Sequence, residues 1–339
     1  MQTGMIKDAI AKVVKGSDLT EGEMMSVMNE VMTGGASPAQ IGSFITALRM
    51  KGETVEEITG AARVMREKAA KVDCPAKAID TCGTGGDESM TFNISTASAF
   101  VAAGSGLTVA KHGNRSVSSK SGSADVLKAL GVNIEAEVSR VEECLREAGI
   151  GFLFAPALHG AMKYAAPVRR EIGIRSIFNI LGPLTNPAGA CSQVVGVYDP
   201  ALTDILAKVL FNLGAKHAFV VSGEDGLDEF TLAGETKVTE LKGSSIRTYR
   251  VRPEDYGFRR SAPEALRGGS PEDNARIILD ILNGEDGPRR DVVLLNSAAA
   301  IVAGGGAGTL EEGIAVARGS IDSGAALEKL EMLKGMTNR

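Results

Sequence analysis

The sequence predicts an α/β protein in which a small helical domain accompanies a larger domain with a central, mostly parallel sheet flanked by helices. Two observations support this prediction. Apolar positions recur at helical spacing in the first 70 residues. From about residue 76, short apolar segments alternate with helical ones, which is typical of βαβ units. Such sheets bind ligands at the carboxyl ends of their strands.

The helices of the first part carry boundary signals. Ser37 and Pro38 read as an N-cap followed by proline at the first helical position, and Gly52 lies past the end of that helix. Thr54 opens the next helix, and Glu57 stands three residues later, as in a capping box. These signals predict two successive helices in this region.

The second part alternates strands and helices, and then becomes helical. The predicted strands lie at 78–84, 107–112, 151–156, 192–199 and 217–223, and a hairpin is predicted at 237–251. The predicted helices lie at 94–103, 123–131, 140–149, 201–214, 274–282 and 292–305. Segment 161–187 also has a helical pattern and stands between two sheet strands. We therefore expect two domains that share the chain, without a linker.

Composition limits the function classes. The 339 residues are 44% hydrophobic and 23% charged, which is ordinary for a globular protein and excludes disorder for most of the chain. The net charge of −5 argues against nucleic acid as the main partner. The 41 glycines indicate tight turns and close approach of the backbone to ligands.

Cysteine usage and hydropathy indicate a cytoplasmic protein. The four widely spaced cysteines form no C-x-x-C pair and read as reduced thiols, and with only three histidines a structural zinc site is not expected. The N-terminus does not read as a signal peptide. Segment 89–110 has no charged residue, but its polar residues and glycines favour a buried helix and strand over a membrane span.

A glycine-rich segment, Gly83–Asp87, follows the first predicted strand and precedes a helix. Glycines allow consecutive backbone N–H groups to face one anion, and a helix N-terminus adds further donors. This pattern predicts a phosphate or pyrophosphate cradle, with a simple glycine turn as an equally open alternative. It matches neither the Walker A loop nor the dinucleotide fingerprint.

Two further polar segments follow at the next strand. Lys111, His112 and Asn114 stand at its carboxyl end, where a lysine can neutralise a phosphate; the alternative is a polar loop tip. Ser123 opens a helix, where it can be the N-cap, a donor to a phosphate oxygen, or both, since the two interpretations are compatible.

Charged residues elsewhere leave more than one interpretation open. Asp228 and Glu229 are adjacent carboxylates that suit Mg²⁺, although their spacing alone favours a solvated acidic turn. Arg169 could bind a substrate carboxylate, whereas Arg170 is expected on the helix surface. His159 lies beside a strand end and could line a pocket; His217 is expected to be structural.

Together, these segments resemble the anthranilate phosphoribosyltransferase family of tryptophan biosynthesis. The resemblance covers essentially the whole chain. Five motifs stand in the family's order, namely DTCGTGGD at 80–87, NIST at 93–96, and the segments at 110–131, 152–188 and 226–231. Ser176 stands where the family leads us to expect threonine, which is a conservative difference.

The resemblance implies a reaction and a domain organisation. The implied reaction transfers phosphoribose from 5-phosphoribosyl-1-pyrophosphate to the amine of anthranilate, with Mg²⁺ present. The implied helical domain comprises residues 1–73 and 161–187, and the implied α/β domain comprises 74–160 and 188–339. A homodimer joined through the helical domains is also implied, with no nucleic-acid or membrane partner.

The resemblance also implies residue roles. The pyrophosphate, phosphate and anthranilate contacts fall on Gly83, Gly85, Gly86, Asp87, Thr91, Asn93, Ser95, Thr96, Lys111, His112, Gly113, Asn114, Ser123, Pro156, His159 and Arg169. Ser95, Asp228 and Glu229 are the implied Mg²⁺ ligands. His112, Pro156 and His159 would line the anthranilate channel, with Arg169 near the substrate carboxylate.

The chemistry of this reaction needs positioning and electrostatics more than proton transfer. The aromatic amine is neutral at pH 7, so no strong base is required. We expect no single indispensable acid or base, with Lys111, Asp228 and Glu229 acting electrostatically. The alternatives are a pyrimidine nucleoside phosphorylase of the same fold and a non-catalytic relative that binds nucleic acid.

Overall fold

The predicted α/β architecture is confirmed by a computed structural model that describes residues 5–75, 77–87, 89–116 and 121–339. Among these residues, seven strands form one sheet in the order β3-β2-β1-β4-β5-β6-β7. The strands are β1 (Ile79–Gly83), β2 (Val109–Gly113), β3 (Ile150–Phe154), β4 (Ser192–Gly196), β5 (His217–Gly223), β6 (Thr236–Lys242) and β7 (Ser245–Val251). Strands β1 to β5 are parallel, and β6 and β7 extend the sheet as the predicted antiparallel hairpin.

The order of the strands reverses between β1 and β4. The chain winds from β1 through β2 to β3 on one side, and from β4 through β5 to the hairpin on the other. In sheets of this kind, ligands bind in the crevice outside the carboxyl ends of the strands at the reversal point. Here both strands end on a glycine, and these two glycines, Gly83 and Gly196, are paired in register.

Fifteen α-helices surround the sheet in the described part of the chain. They are α1 (Met5–Val13), α2 (Glu21–Met32), α3 (Pro38–Lys51), α4 (Val55–Lys68), α5 (Ile94–Gly104), α6 (Ser123–Ala129), α7 (Val138–Glu147), α8 (Ala155–Leu158), α9 (Ala166–Ile172), α10 (Ile177–Leu181), α11 (Leu202–Asn212), α12 (Pro271–Leu282), α13 (Pro288–Ala303), α14 (Leu310–Asp322) and α15 (Ala325–Thr337). Short 3₁₀ turns lie at Gly160–Tyr164, Gly182–Leu184, Pro253–Tyr256 and Pro263–Leu266.

Two large cores cover the two faces of the sheet. On one face, α5 and helices α12 to α15 pack in a core that includes Phe100 and Phe219. On the other face, helices α1 to α4 pack with α10 and α11 around Phe44, Leu181 and Val195. Because side chains alternate between faces along a strand, consecutive residues of one strand reach different halves of the molecule.

Local capping signals were mostly predicted correctly. Ser37 and Thr54 cap α3 and α4 as expected, and Glu57 completes the capping box of Thr54. The prediction that Ser123 is an N-cap is wrong, because Gly122 occupies that position. The carboxylate of Asp125 accepts the Gly122 N–H at 2.9 Å and thus takes over the capping role.

The predicted strand at 151–156 ends earlier than expected. Strand β3 stops at Phe154, and Ala155 and Pro156 begin α8 instead. Proline is accepted in the first turn of a helix because its missing N–H would have no partner there. Among the described residues, no helix combines the length and apolar character needed to cross a membrane.

Candidate active site

The glycine-rich segment lies at the carboxyl ends of β1 and β4 and is pinned by Asp228. The Gly85 N–H donates to Asp228 Oδ2 at 2.9 Å. A Cβ at Gly83 would stand 2.4 Å from the same oxygen, and one at Gly196 would stand 1.4 Å from the Asp228 carbonyl oxygen. Only glycines at these paired strand ends leave room for Asp228. The structure thus brings the first and last predicted motifs together.

Within the described residues, neither Asp228 nor Glu229 has a salt-bridge partner, and the attraction of Arg175 for Asp228 and of Lys111 for Glu229 does not outweigh burial. Burial, and then repulsion from Asp87, raises the pKa of Asp228 to about 7. Burial, and then the neighbouring Asp228, raises the pKa of Glu229 well above its usual value. Two carboxylates under this mutual repulsion fit a divalent cation, because hard oxygen donors suit Mg²⁺.

The predicted Mg²⁺ ligands form an open set. Within the described ranges, no three His, Cys, Asp or Glu side chains are grouped as a complete metal site. Mg²⁺ commonly takes one or two protein carboxylates and completes its shell with water and substrate phosphates. Asp228 and Glu229 therefore fit a cation that arrives with a phosphorylated substrate.

Lys111 lies on the same face of the sheet as the start of α5. It is almost fully buried, and its Nζ donates to the Thr81 carbonyl at 2.6 Å and to Ser95 Oγ at 3.3 Å. An ammonium group has three donors, so one remains for a ligand. Attraction from Asp80, Cys82 and Glu229 opposes the lowering of the Lys111 pKa by burial.

Asn93 is held by protein partners on both sides of its amide. Its Oδ1 accepts from Asn274 Nδ2 at 3.0 Å and from Ser121 Oγ at 3.3 Å, while its Nδ2 donates to the Ser121 carbonyl at 3.1 Å. Asn93 thus joins the start of α5 to Asn274 of α12 and to the loop before α6. Nearby, the hydroxyl oxygens of Thr91 and Ser89 are 3.3 Å apart.

The first turn of α5 adds further polar groups to the site. Ser95 and Thr96 both lie there, and Asn93 is the N-cap residue without a side-chain cap bond. Thr96 Oγ1 is buried and has no hydrogen-bond partner in the described part of the chain. Ser89 Oγ donates to Asp87 Oδ2, so the acidic end of the glycine-rich segment is tied to the same region.

The loop after β2 places Gly113, Asn114 and Ser123 together. Ser123 Oγ donates to the Asn114 carbonyl at 3.3 Å. A Cβ at Gly113 would stand 2.2 Å from that hydroxyl oxygen. The neighbouring predicted segment at 117–120 lies outside the described residues.

His112 and His159 form a pair on the opposite face of the sheet. Their Nε2 atoms are 3.2 Å apart, and His112 Nδ1 lies 3.2 Å from the Gly182 carbonyl oxygen. Burial lowers the pKa of His112 to about 3 and that of His159 to about 4. Both rings are therefore neutral at pH 7.

Pro156 and Arg169 lie in the short helices α8 and α9. The Arg169 guanidinium carbon lies 5.2 Å from the centroid of the Phe178 ring, and burial lowers the Arg169 pKa. Arg170 is exposed, as predicted, and so is Pro156. His217 lies at the other end of the sheet, where its Nε2 is 2.9 Å from Glu240 Oε1.

Sequence reasoning missed Arg175. Its guanidinium donates to the Gly86 carbonyl and stacks on Tyr198 at 4.0 Å from the ring centroid. Arg175 belongs to the segment between α9 and α10, so it links that segment to the glycine-rich loop. No local signal identified it, because its partners lie far away in the sequence.

Comparisons with known proteins agree with this architecture. A model of the glycosyl transferase family a/b domain matches residues 75–327, and a model of the family's helical bundle domain matches residues 7–69. An anthranilate phosphoribosyltransferase of Acetivibrio thermocellus is 57% identical over 98% of this chain and 97% of its own length.

Solved structures give the same result. The enzyme of this name from Thermus thermophilus superposes with a TM-score of 0.93 at 44% identity, covering 98% of this chain and 100% of its own. The Saccharomyces cerevisiae enzyme, solved in complex with PRPP and Mg, has a TM-score of 0.89 at 29% identity over 98% of both chains. The chain therefore belongs to the anthranilate phosphoribosyltransferase family.

Proposed function

We propose that this chain transfers the 5-phosphoribosyl group of 5-phosphoribosyl-1-pyrophosphate to the amine of anthranilate, releasing pyrophosphate. The observation that carries the proposal is the meeting of the glycine-rich segment with Asp228 and Glu229 at the reversal point of the sheet. Backbone donors and carboxylates meet there, as a magnesium-bound pyrophosphate group requires. Family membership supports the same reaction.

The phosphate side acts by holding the leaving group. Displacement at the anomeric carbon of the ribose moves negative charge onto pyrophosphate. Gly85 and its neighbouring glycines, the start of α5 and Lys111 surround the place where this charge develops. Donors fixed before the reaction lower the barrier because they need no reorganisation during it. Mg²⁺, when held by Asp228, Glu229 and Ser95, would add charge stabilisation.

The acceptor side acts by orienting a neutral amine. His112 and His159 remain uncharged at pH 7, so they would line the acceptor side with neutral rings. Arg169 would then bind the carboxylate of anthranilate. A guanidinium can bind a carboxylate through two parallel hydrogen bonds. In this arrangement no side chain has to act as an indispensable acid or base.

The first experiment follows the fluorescence of anthranilate with purified protein, 5-phosphoribosyl-1-pyrophosphate and Mg²⁺. The proposal expects loss of fluorescence that stops when EDTA is added. The nucleoside phosphorylase alternative is tested with a pyrimidine nucleoside and inorganic phosphate. The nucleic-acid alternative is tested by the salt-dependent mobility of a labelled oligonucleotide. Turnover in either alternative assay, without loss of anthranilate, would contradict the proposed function.

We also propose a cytoplasmic homodimer, with helical parts 1–73 and 161–187 and α/β parts 74–160 and 188–339. All four cysteines are free, which fits a reducing compartment. Exposed apolar side chains on the helical part, among them Val14 and Met50, fit an interface there. Sedimentation of the protein, and of a variant carrying Met50→Lys and Val14→Lys, tests the dimer.

A further inference from the structure

We propose that Asp80 is a positioning residue for the anthranilate side of the site. Together with Asn186 and Gln193, it forms what we call the Asp80 clamp, which fixes His112 and the segment 182–188 against the sheet. This inference rests on the proposed function, because it concerns the substrate that His112 faces. It adds residues to which the motif resemblance assigned no role.

Asp80 is fully buried in β1 and accepts hydrogen bonds from two directions. Its Oδ1 accepts the His112 backbone N–H at 3.1 Å, and its Oδ2 accepts from Asn186 Nδ2 at 2.8 Å. A carboxylate is suited to this position because both of its oxygens act as acceptors. An amide in the same place would present a donor on one side.

The orientation of Asn186 is determined by its other partners. Both hydrogens of its Nδ2 are used, since this atom also donates to the Ala110 carbonyl at 2.8 Å. Its Oδ1 accepts the Ala188 N–H at 2.9 Å. Asn186 is buried, so loss of these bonds would leave polar groups without partners. The clamp therefore fixes the end of segment 182–188 in one position.

Gln193 holds the beginning of the same segment. It is paired in register with Asp80 on the neighbouring strand β4 and is also fully buried. Its Nε2 donates to the Pro183 carbonyl at 2.8 Å. Because the preceding residue, Gly182, offers its carbonyl to His112 Nδ1, the contacts form a closed ring from Asp80 through the segment back to His112.

This closed set of contacts explains how a residue of the sheet sets the geometry of the acceptor side. Asp80 fixes the backbone of His112, and segment 182–188 fixes the imidazole of the same residue. His112 in turn contacts His159. A displaced clamp would therefore move both histidines together, while Gly85 and Asp228 keep their own contacts on the other face of the sheet.

The test measures both Michaelis constants in Asn186→Ala. This variant removes the clamp but keeps the Asp80 charge, which also acts on Lys111. We expect KM for anthranilate to rise about tenfold, with KM for 5-phosphoribosyl-1-pyrophosphate changed less than about twofold. Equal rises in both constants, or unchanged constants with a lower melting temperature, would overturn the proposal.

A swap provides the rescue. In Asp80→Asn combined with Asn186→Asp, the amide and the carboxylate exchange places, so a donor again faces an acceptor between the two side chains, whereas the Ala110 carbonyl loses the donor that Asn186 provides. We expect the double variant to reverse part of the rise in KM for anthranilate that Asp80→Asn causes, because one of the two Nδ2 contacts is restored. If Asn186→Ala does not fold, the swap and Asp80→Asn decide alone, and absence of recovery overturns the proposal.

Glu57→Gln is the matched control. Glu57 is also fully buried and accepts backbone N–H groups from Leu19 and Thr54, but it lies in the helical part away from the site. It should lose stability without a change in either KM. Wild-type turnover is measured first: its absence contradicts the proposed function, whereas turnover with unchanged constants in Asn186→Ala contradicts only the clamp.

Discussion

The two faces of the sheet differ in the charge of their buried site residues. On the face toward α5, Asp228 and Glu229 repel each other and have no salt-bridge partner within the described ranges. On the face toward the helical bundle, the pair of His112 and His159 is neutral and faces backbone carbonyls. One strand serves both, because Lys111 and His112 are consecutive in β2 and point to opposite faces.

This difference indicates how each half of the site is prepared for its substrate. On the proposed phosphate side, burial raises the pKa values of Asp228 and Glu229, so we expect a bound cation to complete its electrostatics. On the proposed acceptor side, Asp80, Asn186 and His112 have hydrogen-bond partners before any ligand binds, so we expect this side to contribute through the position of its groups. Changes on the phosphate side should therefore affect turnover and metal dependence, and changes on the acceptor side should affect KM for anthranilate.

The largest effect is expected for Glu229→Gln. If Glu229 holds Mg²⁺ as proposed, the loss of its carboxylate weakens Mg²⁺ binding and the stabilisation of the leaving group, so kcat/KM should fall on the order of 100-fold. The same change should raise the free energy of unfolding of the metal-free protein, because the amide resembles the protonated form that burial favours. Activity assays and denaturant unfolding in EDTA measure the two effects. Glu224→Gln, an exposed carboxylate earlier in the same loop, should change neither.

The pH dependence of the metal-free protein checks the same comparison. Because the pKa of Asp228 is raised to about 7, the folded state keeps a proton that an unfolded chain releases at about pH 4. This contribution to stability is present at low pH and is lost as the pH rises through 7. The melting temperature in EDTA should therefore fall from pH 5 to pH 8, and Mg²⁺ should restore it most at pH 8. A melting temperature that rises over this range in EDTA would contradict the assignment.

Gly196→Ala tests whether the paired strand ends hold Asp228 in place. The new Cβ would stand 1.4 Å from the Asp228 carbonyl oxygen, so the carboxylate must move. Misplacement by about 1 Å can cost roughly 100-fold in rate, and we expect a loss of that order in kcat/KM. Gly335→Ala in α15, where no atom beyond the adjoining residues and the backbone of the helix itself lies within 4 Å of the added Cβ, is the control and should retain full activity.

The contrast also shows which features of the molecule were accessible from the sequence. The alternation of elements gave the parallel sheet, and Thr54 with Glu57 gave a helix start, because both signals are local. The reversal between β1 and β4 was not predictable, since strand order depends on pairing between distant segments. The Asp80–Asn186 contact joins residues 106 positions apart and follows from that order alone.

For the site as well, local motifs were predicted from the sequence and contacts between distant residues were not. Motifs placed the glycine-rich segment and Asp228 in one function, and the structure brings them into contact. Motif spacing did not reveal Arg175, whose partner Gly86 is 89 positions away. Ser123 is not the cap because the helix already begins there, with Gly122 as the cap residue, and its hydroxyl donates to the Asn114 carbonyl instead. The residue type predicts which contacts a position can make, but not which partners the fold brings to it.

A smaller effect is expected for Arg169→Ala on the acceptor side. Loss of a charged hydrogen bond to the substrate carboxylate should raise KM for anthranilate about tenfold. The KM for 5-phosphoribosyl-1-pyrophosphate should stay within about twofold of wild type, because Arg169 lies with Phe178 on the other face. Arg170→Ala, its exposed neighbour, is the matched control. A larger change in the second constant than in the first would place Arg169 on the phosphate side.

The smallest effect concerns the neutral histidine pair. With pKa values of about 3 and about 4, neither His112 nor His159 changes charge between pH 6 and pH 8. The histidines should therefore add no titration to kcat/KM for anthranilate over that range, and His159→Gln should leave the shape of the profile unchanged.

The same pair makes the fold sensitive to acid. The folded-state pKa values of His112 and His159 lie below the ordinary histidine value of about 6.5. The contribution of the pair to the stability of the fold is therefore present above that pH and is lost as the pH falls through 4 and 3. His159→Gln removes one of the two groups, so its melting temperature should fall less than that of wild type between pH 6.5 and pH 4. His217→Gln, whose ring lies against Glu240 at the other end of the sheet, controls for loss of an imidazole outside the site. A wild-type kcat/KM profile with a midpoint near 6.5 that disappears in His159→Gln would show a charged pair, and the acceptor side would then resemble the phosphate side in needing a ligand to balance its charge.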